Sequence, residues 1–125
     1  MRVTSAVNVN GEFEDKYGKR GSQFSENGLP TYLIPFEIIG ALEGTQSFAV
    51  LCAGHDAPSK PDDVNHPDRE VPADLPRADF YHWILLDLPA GVRALDEGVY
   101  SSQVSPRGKP GPELPDGSRQ GINDY

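Results

Sequence analysis

A mainly β fold, β-dominated α+β at the most, is what three features of the sequence predict. The run Thr31 to Ile39 is β-branched and aromatic. Two further stretches, Gln46 to Ala53 and Phe80 to Leu88, alternate with a period of two. No stretch sustains a helical period beyond about three turns, so nothing competes with sheet as the main architecture.

In chain order, Arg2 to Val9 reads as a short strand, and residues 10 to 30 as loop, punctuated by Gly11, Gly18, Gly21 and Gly28. Pro35 cannot donate a ladder bond, so the strand Thr31 to Ile39 is expected at a sheet edge or at a bulge. Glu43-Gly44-Thr45 forms a turn into the next strand. There Phe48, Val50 and Cys52 share one face and Ala49, Leu51 and Ala53 the other, which predicts burial on both sides. His55 to Asp79 holds five prolines and seven acidic residues, a composition that suppresses helix and ladder alike, and reads as one long loop. The strand Phe80 to Leu88 puts Phe80, His82, Ile84, Leu86 and Leu88 on one face and Tyr81, Trp83, Leu85 and Asp87 on the other. A helical turn is expected around Val92 to Glu97, stopped by Gly98. Residues 101 to 125 form a Pro/Gly/Ser-rich tail whose large apolar anchors are Val104, Leu114, Ile122 and Tyr125. Four anchors do not offset an ordering cost of about 1–2 kcal/mol per residue, so the tail is expected to be mobile.

With 125 residues there is material for one core and one domain, spanning 1–125. The net charge of −8, with 11 scattered Lys and Arg, excludes a nucleic-acid surface, which needs clustered cations. Cys52 is the single cysteine, so the interior must hold without an intramolecular disulfide. Neither a signal peptide nor an apolar run long enough to span a bilayer is present, which makes the cytoplasm the expected location.

Enzyme motifs are absent: there is no Gly-x-Ser-x-Gly, His-Glu-x-x-His or Gly-x-Gly-x-x-Gly, and no phosphate loop precedes Gly108-Lys109. Two features carry chemistry. His82 sits in an apolar strand face, either as a buried histidine satisfied by backbone or as an imidazole donor to an anion at a pocket mouth. In Gly54-His55-Asp56-Ala57-Pro58, Asp56 with His55 either shapes a turn ahead of Pro58 or contributes to the same site. Cys52 reads as a small core residue. His55, Asp56, His66, Asp68 and His82 could in principle ligate zinc for a hydrolase, yet their spacing matches no ligand signature. The acidic stretch Asp62 to Asp68 lacks the glycine and terminal glutamate of a calcium loop. No metal and no cofactor are expected.

Taken in order, Gly44-Thr45-x-Ser47-Phe48-Ala49-Val50, Asp56-Ala57-Pro58, Phe80-Tyr81-His82-Trp83 and Leu88-Pro89 resemble the phosphatidylethanolamine-binding protein family, in its bacterial Raf-kinase-inhibitor-like branch. The segments Ser59 to Asn65, Val71 to Arg77, Pro106 to Pro112 and Arg119 to Tyr125 resemble one subgroup of that branch. Glu14 to Gly21, Asn27 to Tyr32 and Ile34 to Ile38 resemble another, so the resemblance covers nearly the whole chain as a mosaic. It implies an antiparallel β-sheet fold with a small surface pocket for phosphate, acetate-like or phospholipid head-group anions, in proteins that bind and modulate without catalysing. In the family the pocket is lined by the first Asp of Asp-x-Asp-x-Pro, by a strand histidine and by a later Gly-x-His-Arg segment. His82 matches the histidine, while Asp56 and Pro58 match the second Asp and the Pro, with His55 beside them.

Gly54 stands where the family has its first Asp, and Tyr125 precedes the Gly-x-His-Arg segment. The resemblance therefore implies a fold incomplete at the C-terminus, with exposed ladder groups that make a second copy of the chain a candidate partner. Donors left to hold an anion are His82, loop N–H groups and Arg107, Lys109 or Arg119. The partners expected are a small anionic ligand and a kinase or protease contacted by the acidic loop Asp62 to Asp79.

Overall fold

A computed structural model of the chain describes residues 1–18, 21, 32–101 and 111–124. It is strand-rich, with β1 (Arg2–Thr4), β2 (Asn8–Val9), β3 (Glu12–Phe13), a 3₁₀ turn (Asp15–Tyr17), β4 (Phe36–Ile39), β5 (Ser47–Pro58), β6 (Arg77–Pro89), β7 (Ala94–Leu95) and β8 (Arg119–Gln120). The mainly β class expected from the sequence is the class observed. The chain divides into two compact units, Met1–Phe48 with Pro89–Pro112, and Ala49–Leu88 with Glu113–Tyr125.

In the first unit β4 lies between β1 and β7, both antiparallel to it, with Val3 opposite Ile38 and Phe36 opposite Leu95. Ile38, Leu95 and Phe48 are its buried apolar residues, and the Arg93 guanidinium stands 5.1 Å from the Phe48 ring centroid. β4 is thus a central strand, not the edge strand that Pro35 suggested. The ladder begins one residue after the proline, so the missing N–H falls outside it. β2 and β3 form a separate hairpin, Asn8 opposite Phe13, around Asn10-Gly11, whose φ angles of 55° and 88° are both left-handed. That geometry is the one two-residue hairpin turns require, and Asn-Gly supplies it at little cost. The expected helical turn at Val92 to Glu97 is instead β7, because pairing with β4 outweighs a weak local helix preference.

A second three-stranded sheet has the order β5-β6-β8. Within the second unit, β6 pairs antiparallel with β8 through Leu85–Gln120 and Leu86–Arg119. Leu85 and Leu88 are both fully buried, whereas Leu86 is 42% exposed. Strict alternation would have put Leu86 and Leu88 on one face; Asp87, with φ 56°, breaks the period as an extra residue in a bulge does. β5 is not buried on both faces either, since Leu51 is 57% exposed. Its second face carries only one large apolar side chain between two alanines, which is little surface to recruit a covering layer.

The long loop is shorter than its composition suggested. Both strands run on into it, and the Ser59 N–H donates to the Pro76 carbonyl at 3.0 Å, closing the ladder at its mouth. Ladder bonds are made by backbone, so acidic side chains that point to solvent do not prevent them. Of the tail, residues 102–110 and Tyr125 lie outside the described residues. Residues 111–124 hold β8, the bridge Glu113–Arg119 and the fully buried Ser118. Among the described residues no helix is long and apolar enough to cross a membrane.

Candidate functional site

β5 and β6 carry the four residues matched to the expected anion site: His55, Asp56 and Pro58 near the end of β5, and His82 in the first half of β6. His82 is exposed, so of its two readings the buried, backbone-satisfied histidine is set aside. Its ring lies 5.0 Å from that of Phe80, tilted by 55°. On the neighbouring strand, a Cβ at Gly54 would stand 3.3 Å from His82 Nε2. The imidazole edge therefore rests over bare backbone on one side and beside an aromatic ring on the other.

His55 pairs elsewhere. Its Nδ1 lies 2.7 Å from Asp79 Oδ1, with the His55 side chain 77% exposed. An ionised carboxylate only accepts, so Nδ1 carries the proton. The hydrogen bond to Asp79 and then the charge of Asp79 raise the His55 pKa above 6.5, with desolvation opposing them and the charge of Asp56 adding least. Asp56 is exposed and Pro58 half-buried beside it at the strand end. The loop end of the two strands thus carries Asp56 and a His55–Asp79 pair, while Gly54, one residue before His55, and His82, three residues after Asp79, lie further from the loop.

Residues 119–124 complete the far side of β6. Gly121 N–H donates to the Ile84 carbonyl (3.0 Å), Trp83 Nε1 donates to Gln120 Oε1 (2.8 Å), and Asn123 Nδ2 donates to the His82 carbonyl (3.2 Å). Asp124 pairs twice with Tyr81, its N–H donating to the carbonyl at 3.0 Å and its carboxylate accepting from the N–H at 2.7 Å. These bonds fix the backbone on either side of His82. Arg119, a candidate donor to an anion, sits opposite Leu86 with Nη1 3.9 Å from Asp87 Oδ2. Arg107 and Lys109 lie outside the described residues.

Cys52 is half-buried, and that burial pushes its thiol pKa up, away from the thiolate a nucleophile needs. Among the described residues no three of His, Cys, Asp and Glu converge as metal ligands would. A concavity of about 100 Å³ lies in the first unit between Pro35, Phe36, Leu95 and Asp96, and none of the predicted site residues lines it.

Sequence reasoning missed Asp79 as the partner of His55, because both were assigned to one unstructured loop. A hairpin reading, with β5 and β6 running into that loop, would have brought them together. It also missed Asn123 and Asp124, for which a tail without apolar anchors gives no signal.

The strand histidine, the Asp56–Pro58 strand end and the C-terminal segment all fall within one family match: the phosphatidylethanolamine-binding protein family model matches residues 3–125. The chain belongs to the phosphatidylethanolamine-binding protein family. No curated relative and no solved structure matches it. As a member of the phosphatidylethanolamine-binding protein family it is, in general terms, a binding protein of that kind, and its mainly β structure agrees with the membership.

Proposed function

We propose that the protein binds a small phosphate-type anion, either free or as a phospholipid head group, beside His82, and that it acts by binding and not by catalysis. The observation that supports this most is the exposed His82 imidazole lying against Gly54 and Phe80, on a strand whose backbone is pinned by residues 119–124. An exposed imidazole is a side chain suited to donate an N–H to an anion, and a protonated one offers charge as well. Asp56 and Pro58 shape the strand end, and the His55–Asp79 pair contributes a second imidazole that holds its proton to higher pH. A net charge of −8 opposes anion approach, but screening confines that effect to about 8 Å at physiological salt.

Titration with inorganic phosphate, with phosphoethanolamine, and with phosphatidylethanolamine vesicles against phosphatidylcholine vesicles tests the proposal and separates the two sources. Saturable binding of either phosphate compound supports it. Vesicle binding that depends on the ethanolamine lipid assigns the head group, and absence of binding in every arm refutes it.

A second reading follows from the loop Ser59 to Pro76. Asp62, Asp68, Glu70 and Asp74 are all exposed there, a surface suited to a basic patch on a kinase or protease, as in the Raf-kinase-inhibitor-like branch the sequence resembles. Capture of such a partner should weaken as salt is raised. A reducing cytoplasmic setting accords with the single Cys52.

A further inference from the structure

His55 and Asp79 form a dyad across β5 and β6. The ring nitrogen Nδ1 stands 2.7 Å from Asp79 Oδ1, and since an ionised carboxylate only accepts, the proton of the neutral imidazole is fixed on Nδ1 and its lone pair on Nε2. The His55 side chain is 77% exposed, so a reagent in solution reaches that lone pair. The backbone beneath it is held: β5 runs on to Pro58, and the Ser59 N–H donates to the Pro76 carbonyl at 3.0 Å. His66, on the connecting loop, is exposed as well, but no carboxylate among the described residues is bonded to its ring.

We propose that His55 Nε2 is a phosphoryl-acceptor site, modified by a small activated phosphoryl donor such as an acyl phosphate or a phosphoramidate, with Asp79 as its positioning residue. In the step, the Nε2 lone pair forms a bond to phosphorus. The bond from phosphorus to the leaving group breaks, and its electron pair departs with the carboxylate of an acyl phosphate or the ammonia of a phosphoramidate. No proton leaves Nε2, and the Nδ1 proton stays in its hydrogen bond to Asp79. The ring becomes cationic as the N–P bond forms, so the bond to Asp79 strengthens along the reaction, and only an interaction that strengthens in this way accelerates it. The same carboxylate makes the lone pair more basic. Asp56 and the net charge of −8 oppose an anionic donor, an effect that salt screens. The product adds negative charge where β5 enters the acidic loop. This site goes beyond anion binding beside His82 and does not depend on it.

The experiment treats the full chain with phosphoramidate at a pH above the folded pKa of His55, where Nε2 is unprotonated. Phosphohistidine is read by phosphorus NMR and assigned to each histidine by mass spectrometry under alkaline conditions. The proposal expects His55 to be modified about tenfold faster than His66, the scale of a modest strengthening of one charge-assisted hydrogen bond. Asp79→Asn keeps an oxygen acceptor for Nδ1 but removes the charge, and should bring the His55 rate down to that of His66. His66 serves as the reference within each protein, and its unchanged rate separates loss of the dyad from loss of the fold. Modification of His55 no faster than of His66, or an Asp79→Asn variant that retains the wild-type ratio, would overturn the proposal.

Discussion

The Nδ1 of His55 and the Oδ1 of Asp79 stand 2.7 Å apart, joining β5 to β6 where the two strands run into their connecting loop. A pair built from two residues at opposite ends of an acidic, proline-rich stretch shows that the ladder, and not the composition, sets where the loop begins.

That pair makes the strand ends pH-sensitive. The His55 pKa in the folded chain is raised above 6.5, chiefly by its hydrogen bond to Asp79. A raised folded pKa stabilises fully below the unfolded value, and the stabilisation is lost as pH rises through the folded one. Asp79→Asn should lower the His55 pKa, read by NMR titration. The difference in thermal midpoint between wild type and Asp79→Asn should be largest in mild acid and vanish above the folded pKa. Both side chains are largely exposed, so the effect will be small.

Leu85 and Leu88 are the fully buried leucines of β6, and the left-handed Asp87 between Leu86 and Leu88 breaks the alternation that would place Leu86 and Leu88 on one face. Leu85→Ala should cost about 2–5 kcal/mol in urea unfolding, and Leu86→Ala roughly 1 kcal/mol or less. Strict alternation predicts that Leu86 and Leu88 behave alike, so the ordering of these variants decides between the two patterns.

Ser118 is fully buried, and its hydroxyl and N–H both donate to Asp116 Oδ1, at 2.5 and 2.9 Å. Asp116→Ala removes that acceptor and leaves a buried hydroxyl to find another. A loss of about 1–3 kcal/mol is expected in denaturant unfolding. An unchanged midpoint would show that the turn before β8 is not anchored this way.

Asp124 closes the C-terminal segment onto Tyr81 through one backbone and one side-chain bond. Asp124→Ala should raise the hydrogen-exchange rate of the Tyr81 amide while leaving Leu85 protected. Exchange at Tyr81 that matches wild type would contradict the contact.

The strand content was legible in the sequence because β4, β5 and β6 are β-branched, aromatic or alternating, and those signals act locally. Their exact ends were not, because His55 to Pro58 and Arg77 to Asp79 join the ladder through backbone atoms that carry no side-chain signature. The hairpin at Asn10-Gly11 had its signal in the sequence, but the flanking Asn8–Val9 and Glu12–Phe13 are too short to show a period. The left-handed Asp87 and the hydrogen bonds of residues 119–124 depend on neighbours distant in the chain. His82 stood out as one imidazole in an apolar strand, and Gly54 as a glycine before His55-Asp56; that the two touch is visible only once β5 and β6 are paired.

The most direct test follows the His82 imidazole by NMR while inorganic phosphate or phosphoethanolamine is added. Progressive, saturable displacement of its ring resonances, with those of His66 on the outer loop unmoved, is the predicted result. An imidazole that keeps its position and its titration curve at millimolar ligand would contradict anion binding at β6 and leave only the family and the fold.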